Sequence, residues 1–236
     1  MSENIKKITK AFKVDLDSRE NQNILKPSAR PFNNQAHQVN EVVEKIAEKI
    51  YKLIKDAKHS NDGIILNHNK IKEAFFSPFK PQLKDAQVFL SHSHADKNKA
   101  LKVKNYLEED LDAECVFIDS LFWDYKDNIV KEMSKYDNTS KIEDAFTLIL
   151  RESLQNMIEK CPYFVFSQSN NSVSDQGLSC ITYSAWIYEE LKIAHSIRES
   201  RPTPMMESMQ VFHDISPFLE NLETITLKEL SQQINS

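Results

Sequence analysis

The fold of this chain is decided at residues 86–96, AQVFLSHSHAD, where a short apolar run meets a cluster of polar side chains. The first five residues predict a strand, and those from Ser91 to Asp96 predict a loop that carries side-chain chemistry. Apolar residues then recur at helical spacing across 100–107, and Cys115 to Ile118 forms a second apolar run. The stretch therefore predicts a β-α-β unit.

The same alternation continues toward the carboxyl terminus. The predicted elements are a helix over 145–158, a strand over 163–166 and a helix over 184–197. Short apolar strands that alternate with helices predict an α/β fold with a doubly wound parallel sheet, because right-handed crossovers place helices on both faces. Ligands bind such sheets beyond the carboxyl ends of the strands. This rule selects the loops after Leu90, Ile118 and Phe166, and the second of these is predicted to be an aromatic loop over residues 121–125.

The chain divides into three segments by pattern. Residues 1–36 mix charges, Asn and two prolines without lasting periodicity, and predict an arm that is flexible or laid on the surface. Residues 37–84 predict an N-terminal helical extension, and residues 85–236 predict the α/β domain. The elements predicted outside the alternating region are an amphipathic helix over 39–54, a short helix over 69–76, an edge strand over 209–212 and a final helix over 227–234.

Composition excludes several classes of function. The formal net charge of −5 gives no bulk attraction to nucleic acid or to anionic lipid. No signal-peptide core and no run of about 18 apolar residues appear, so the chain is predicted to be neither secreted nor membrane-spanning. Three cysteines without C-x-x-C spacing favour a reducing compartment, and we expect a cytoplasmic protein. The two glycines, Gly63 and Gly177, are too far apart for a phosphate-binding loop.

The polar loop also raises the possibility of a metal site. His92, His94 and Asp96 supply most of the H-x-H-x-D-H ligand set of metallo-β-lactamase-like hydrolases. The closing histidine is absent, and later loops offer only His195 and His213 as further imidazole ligands. A metallo-hydrolase is therefore the least favoured alternative, and we predict no bound metal.

Four segments of the α/β region together resemble the TIR (Toll/interleukin-1 receptor) domain family, in particular its prokaryotic TIR-like members. They are VFLSHSHAD at 88–96, like the first strand and loop; CVFIDS at 115–120 with Trp123, like the second strand and loop; YFVFSQS at 163–169, like a later strand ending in serines; and SAWIYEEL at 184–191, which fits Ser-x-Trp-x-x-x-Glu-Leu. The resemblance covers about residues 85–200. It implies a flavodoxin-like sheet.

The resemblance implies an enzyme that cleaves the nicotinamide–ribose bond of NAD⁺, as a glycohydrolase or a cyclase, in prokaryotic antiviral defence signalling. NAD⁺ is then the substrate, and no cofactor is required. Glu190 corresponds to the catalytic carboxylate, and Trp186, four residues earlier on the same helix face, borders the substrate and supports Glu190. A carboxylate there stabilises the oxocarbenium-like sugar, and nicotinamide leaves as a neutral molecule without a general acid.

The same resemblance implies the remaining site residues and the partners. Ser91, Ser93 and Asp96 line the nucleotide side of the cleft, and Trp123 or Phe122 stacks on a ring. The implied protein partner is a second copy of the chain or another TIR-like or effector protein. A non-catalytic TIR-like interaction module is the alternative, because acids early in a helix are favoured by the macrodipole and Trp is often part of a core.

Overall fold

A computed structural model gives the architecture of this protein. It describes residues 10–25, 42–56, 58–60, 63–65, 67–80, 86–111, 116–133, 140–175, 180–199 and 213–235. The predicted edge strand over 209–212 lies outside the described residues. No helix within these ranges is long and apolar enough to cross a membrane.

The described residues form short strands and longer helices that alternate along much of the chain. The strands are β1 (Lys10–Asp15), β2 (Lys58–Ser60), β3 (Gly63–Ile65), β4 (Val88–Ser91), β5 (Val116–Ile118), β6 (Tyr163–Gln168), β7 (Ser174–Asp175), β8 (Cys180–Thr182), β9 (His213–Asp214) and β10 (Glu223–Thr224). The helices are α1 (Arg19–Ile24), α2 (Val43–Lys55), α3 (His68–Phe76), α4 (Lys97–Leu111), α5 (Asp119–Met133), α6 (Ser140–Lys160), α7 (Ala185–Glu199), α8 (Ser216–Glu220) and α9 (Leu227–Asn235).

The core is a five-stranded parallel sheet with the strand order β10-β1-β6-β4-β5. Phe89 of β4 is level with Phe117 of β5 and with Phe164 of β6, and its ring stacks on both neighbours. All three rings are buried, and such apolar burial is the main force that holds the strands together. The parallel α/β sheet predicted from the sequence is confirmed.

The sheet carries helices on both of its faces. The Ser91 side chain at the end of β4 contacts Glu190 of α7, whereas Tyr163 donates a hydrogen bond to the backbone of Gln233 in α9. Tyr163 is level with Val88, which lies three residues before Ser91 on β4 and therefore points to the opposite face. Helices α7 and α9 thus cover opposite faces, as in a doubly wound sheet.

The apolar side chains of residues 10–16 are buried, which corrects the prediction of a surface arm in that part of residues 1–36. Lys10–Asp15 is strand β1, which lies inside the sheet and pairs with β6 on one side and β10 on the other. Phe12 and Val14 are buried, and Leu16, just after the strand, is buried as well. The segment is a strand because its apolar side chains are buried and its backbone groups are satisfied on both edges.

Strands β4 and β6 mark a reversal in the direction of the chain across the sheet. From β4 the chain continues to the adjacent strand β5 at one edge, whereas from β6 it reaches β10 at the other edge. In parallel α/β sheets, this reversal between neighbouring strands is where ligands bind, beyond the carboxyl ends. The loops after β4 and β6 are therefore the first place to look for a functional site.

The chain separates into two compact units, and this division differs from the predicted domains. The first unit comprises residues 1–32, 85–120 and 157–236, and the second comprises 33–84 and 121–156. The predicted helical extension over 37–84 therefore shares its unit with a stretch that the sequence analysis assigned to the α/β domain.

The second unit is built around an aromatic cluster. Tyr125 packs edge-on against Phe75 and Phe79, and all three are buried. The predicted amphipathic helix is present as α2, which buries Val43, Ala47, Ile50 and Ile54. Residues 121–125 were predicted as a loop but belong to α5, so that prediction is wrong.

Candidate functional site

The carboxyl end of β4 brings a hydroxyl group to a buried carboxylate. The Ser91 Oγ donates a hydrogen bond of 2.5 Å to Oε2 of Glu190. Glu190 and Ser91 both have 0% of their surface exposed. The two residues are far apart in the sequence and meet at the chain reversal between β4 and β6, where the fold is expected to place a ligand.

Helix α7 directs Glu190 inward through its apolar spacing. The helix begins after Ser184, whose Oγ accepts a hydrogen bond from the Ile187 backbone N–H and so caps the first turn. Ile187, Leu191 and Ala194 are buried at intervals of three and four residues, and Glu190 lies on the same face. The face that anchors the helix therefore carries a carboxylate into the interior.

Glu189 and Trp186, which lie near Glu190 on the helix, are more exposed to solvent than Glu190. Glu189 is partly exposed and lies 3.6 Å from the ammonium of Lys192. Trp186, one turn before Glu190, is half-buried. The predicted common face of Trp186 and Glu190 is compatible with these positions, and Glu189 provides a natural control for Glu190.

Asp96 is held by residues from the loop after β6. Its Oδ2 accepts a hydrogen bond of 2.5 Å from Ser169 Oγ, and its Oδ1 accepts one of 2.8 Å from Asn171 Nδ2. Asp96 is 2% exposed. The resemblance implies that this carboxylate borders the nucleotide, whereas in the structure both of its oxygens have protein partners. In this conformation Asp96 joins two loops to each other.

Asp17, in the loop after β1, and Lys99, in the first turn of α4, are two residues of this edge that sequence reasoning did not identify. Lys99 Nζ donates a 2.7 Å hydrogen bond to Asp17 Oδ1 and lies 3.5 Å from Asp96 Oδ1. The backbone N–H of Asn170 donates to Asp17 Oδ2 at 2.9 Å. The hydrogen bonds from Lys99 and Asn170 lower the pKa of Asp17, and the bond to Asp17 raises the pKa of Lys99.

His92 forms a buried pair with the residue that follows β5. Its Nδ1 lies 2.5 Å from Oδ1 of Asp119, and both side chains are almost fully buried. Burial alone would lower the pKa of His92, but the charge and hydrogen bond of Asp119 outweigh it, and the pKa is raised. The pair joins the carboxyl ends of β4 and β5.

This pair makes stability depend on pH in a defined direction. Because the folded pKa of His92 lies above its ordinary value of 6.5, the pair contributes fully to stability below that pH, and its contribution is lost as the pH rises through the folded pKa. We expect the difference in melting temperature between wild type and Asp119→Asn to be largest near pH 6 and to shrink by about pH 9. Thermal unfolding of wild type and Asp119→Asn between about pH 6 and pH 9 measures this difference. Substitution of the exposed His94 is the control for a histidine outside the buried pair. A difference that grows with pH would contradict the assignment.

The metal alternative requires three side chains that do not converge. His92 pairs with Asp119, His94 is exposed, and Asp96 binds Ser169 and Asn171. Among the described residues, no group of three or more His, Cys, Asp or Glu side chains is placed to hold a metal ion.

Ser93 and Trp123 are the remaining predicted site residues. Ser93 is half-buried, and its carbonyl accepts a hydrogen bond from the Asp96 backbone N–H at 2.8 Å, which closes the turn before α4. Trp123 belongs to α5, but its side chain lies outside the described part of the chain. Ser93 therefore has a local role in shaping the loop.

Comparisons with known proteins identify no relative of this chain. No protein-family model, curated protein or solved structure matches the chain. The function of the site must therefore be inferred from the side chains at the carboxyl ends of the parallel strands.

That chemistry centres on a carboxylate in a water-poor environment. A negative charge exerts a stronger field where water is excluded, so it stabilises a nearby developing cation more effectively than an exposed carboxylate would. The Ser91 hydroxyl fixes one carboxylate oxygen of Glu190. The arrangement suits a reaction in which positive charge grows on the substrate while a neutral group departs.

Proposed function

We propose that this protein is a TIR-like NAD⁺ glycohydrolase or cyclase that cleaves the bond between nicotinamide and ribose. The observation that carries the proposal is the fully buried Glu190, held by Ser91 at the chain reversal of a parallel sheet. The proposal places the nicotinamide riboside of NAD⁺ beside this carboxylate. It also retains the cytoplasmic, defence-signalling setting that the resemblance implies.

The reaction needs little from the protein beyond this charge. As the C1′–N bond breaks, its electron pair leaves with nicotinamide, which becomes neutral, and positive charge develops on the ribose. Glu190 stabilises that charge or holds the ribose hydroxyls. Water then adds to C1′ and releases a proton to give ADP-ribose, or a group within the ADP-ribose itself attacks to give a cyclic product.

The strand order supports the family assignment in part. A flavodoxin-like sheet has the order 2-1-3-4-5. With β4 taken as the first strand, β5, β4 and β6 reproduce 2-1-3, and β10 occupies the fifth position. The fourth position is filled by the N-terminal strand β1 instead of a strand that follows β6. The three strand segments that resemble TIR domains thus lie in the same relative order as the first three strands of a flavodoxin-like sheet.

Access to Glu190 requires movement in this proposal. Glu190 has no exposed surface, so NAD⁺ reaches it only after neighbouring side chains are displaced. Self-association is a physical means of supplying that displacement, because contacts made only by the open conformation shift the population toward it. We therefore expect the rate of nicotinamide release per protein molecule to rise with protein concentration.

The same burial supports the alternative of a non-catalytic TIR-like interaction module. A carboxylate with no exposed surface and a hydroxyl partner is also what a structural hydrogen bond between a strand and a helix requires. In that case the protein would associate with a second copy or with another TIR-like protein and leave NAD⁺ intact.

Chromatographic detection of nicotinamide distinguishes the candidates. NAD⁺ is incubated with wild-type protein over a series of concentrations, with chelator or with added zinc. Release that increases more than linearly with protein and is indifferent to chelator supports the NADase proposal. Release abolished by chelator would favour the metallo-hydrolase, and no release from protein shown to be assembled would favour the interaction module.

A further inference from the structure

Three loops at the carboxyl edge are joined in a closed polar ring. Asp17 follows β1, Asp96 and Lys99 follow β4, and Asn170 follows β6. Lys99 links Asp17 to Asp96, and the Asn170 backbone N–H links the β6 loop to Asp17. Ser169 and Asn171 close the ring by donating to Asp96.

The ring connects the loops that follow three neighbouring strands of the sheet. The hydrogen bonds of the sheet join the strands themselves but not these loops. Strands β1, β6 and β4 are adjacent, and their loops leave the same edge. Ser91, which holds Glu190, is the last residue of β4, so the β4 loop follows it directly. The β6 loop leads through β7 and β8 to the helix that carries Glu190. One partner of the Ser91–Glu190 contact is therefore adjacent to a loop of the ring, and the other lies on the helix that follows another of its loops along the chain.

The two halves of the ring differ in solvent exposure. The bond from Ser169 to Asp96 is buried and the bond from Asn171 to Asp96 is part-buried, whereas the side chains of Asp17 and Lys99 are 25% and 39% exposed. An ion pair this exposed contributes little to global stability. Its larger effect is local, since it limits the number of positions that the attached loops can adopt.

We propose that Asp17 and Lys99 are positioning residues for the candidate site, so that the N-terminal segment sets the geometry of the loop after β6. The expected effect on catalysis rests on the proposed function. The expected effect on the geometry of the loop after β6 does not. The N-terminal segment is then a component of the site, although none of its residues touches Glu190 in any described contact.

Two substitutions at Asp17 separate the links of the ring. Asp17→Asn removes the charge that holds Lys99 but retains an oxygen that can accept from Asn170, whereas Asp17→Ala removes both links. Lys99→Met removes the cation and keeps the apolar stem. Glu20→Ala is the matched control, because Glu20 is an exposed carboxylate in the same segment that makes no contact with the ring.

Amide hydrogen exchange in the full-length protein provides the first readout. We expect exchange at Asn170 to accelerate about tenfold in Asp17→Ala and less in Asp17→Asn, with no change in Glu20→Ala. The melting temperatures of all variants should stay close to wild type. Unchanged exchange at Asn170 in Asp17→Ala would overturn the inference.

Enzyme kinetics provides the second readout. We expect kcat/KM for NAD⁺ to fall about tenfold in Asp17→Ala and in Lys99→Met, and the double variant to be no worse than either single variant. Fully additive losses would overturn the idea that the two residues act through one another. If wild type releases no nicotinamide but the exchange effect is present, the positioning inference stands and the NADase proposal fails.

Discussion

Replacing Glu190 by Gln is expected to lower the rate of nicotinamide release by about 100-fold or more. Glutamine has nearly the same shape and keeps an oxygen that can accept the hydrogen bond from Ser91. It lacks the negative charge that stabilises the developing cation. The substitution therefore removes the proposed catalytic interaction and leaves the packing of α7 in place.

Glu189→Gln is the matched control for this prediction. Glu189 is the adjacent residue on the helix, and it lies near Lys192 at a partly exposed position. We expect its activity to remain within about twofold of wild type, because the nearby Lys192 ammonium offsets the charge of this partly exposed carboxylate. Equal losses in both variants would indicate damage to the helix instead of loss of a catalytic charge.

Replacing Val14 by Asp is expected to lower the free energy of unfolding by about 3 kcal/mol or more. Val14 is fully buried in β1, which is paired on both sides, so an aspartate there would be a buried charge with no cation supplied for it. The shift in the urea midpoint measures the effect.

Lys10→Asp provides the control in the same strand. Lys10 is exposed at the start of β1, and its ammonium donates to Gln233 Oε1. Loss of this surface contact should cost less than about 1 kcal/mol. Similar small effects at both positions would mean that residues 10–15 do not form an interior strand.

The central strands were predictable because burial on both faces requires continuous apolar runs. Val88–Leu90, Val116–Ile118 and Tyr163–Phe166 are such runs, and each is followed by polar residues at the edge where ligands bind. Helix α7 was predictable for a related reason, since its apolar residues recur at intervals of three and four.

Strand β1 was missed because its sequence does not resemble a buried parallel strand. Lys13 interrupts the apolar residues of Ala11, Phe12 and Val14, and the charged residues around the segment suggested exposure. Its pairing with β6 and β10 is a long-range property that no local pattern encodes. The roles of Asp17 and Lys99 were missed for the same reason.

Helix α5 was missed although a signal was present. Leu121, Tyr125 and Ile129 recur every four residues, and Asp119 supplies the acid that favours a helix start. The aromatic residues were interpreted as the loop that follows the second apolar strand. Tyr125 and Ile129 are buried, so the apolar spacing was the better guide.

The most direct test of the central claim is proton NMR of NAD⁺ incubated with concentrated wild-type protein, beside Glu190→Gln whose folding has been verified. We predict free nicotinamide signals that grow with time in the wild-type sample and are absent or at least about 100-fold slower to appear with Glu190→Gln. Intact NAD⁺ in both samples, or equal release from both, would contradict the assignment of Glu190 as the catalytic carboxylate.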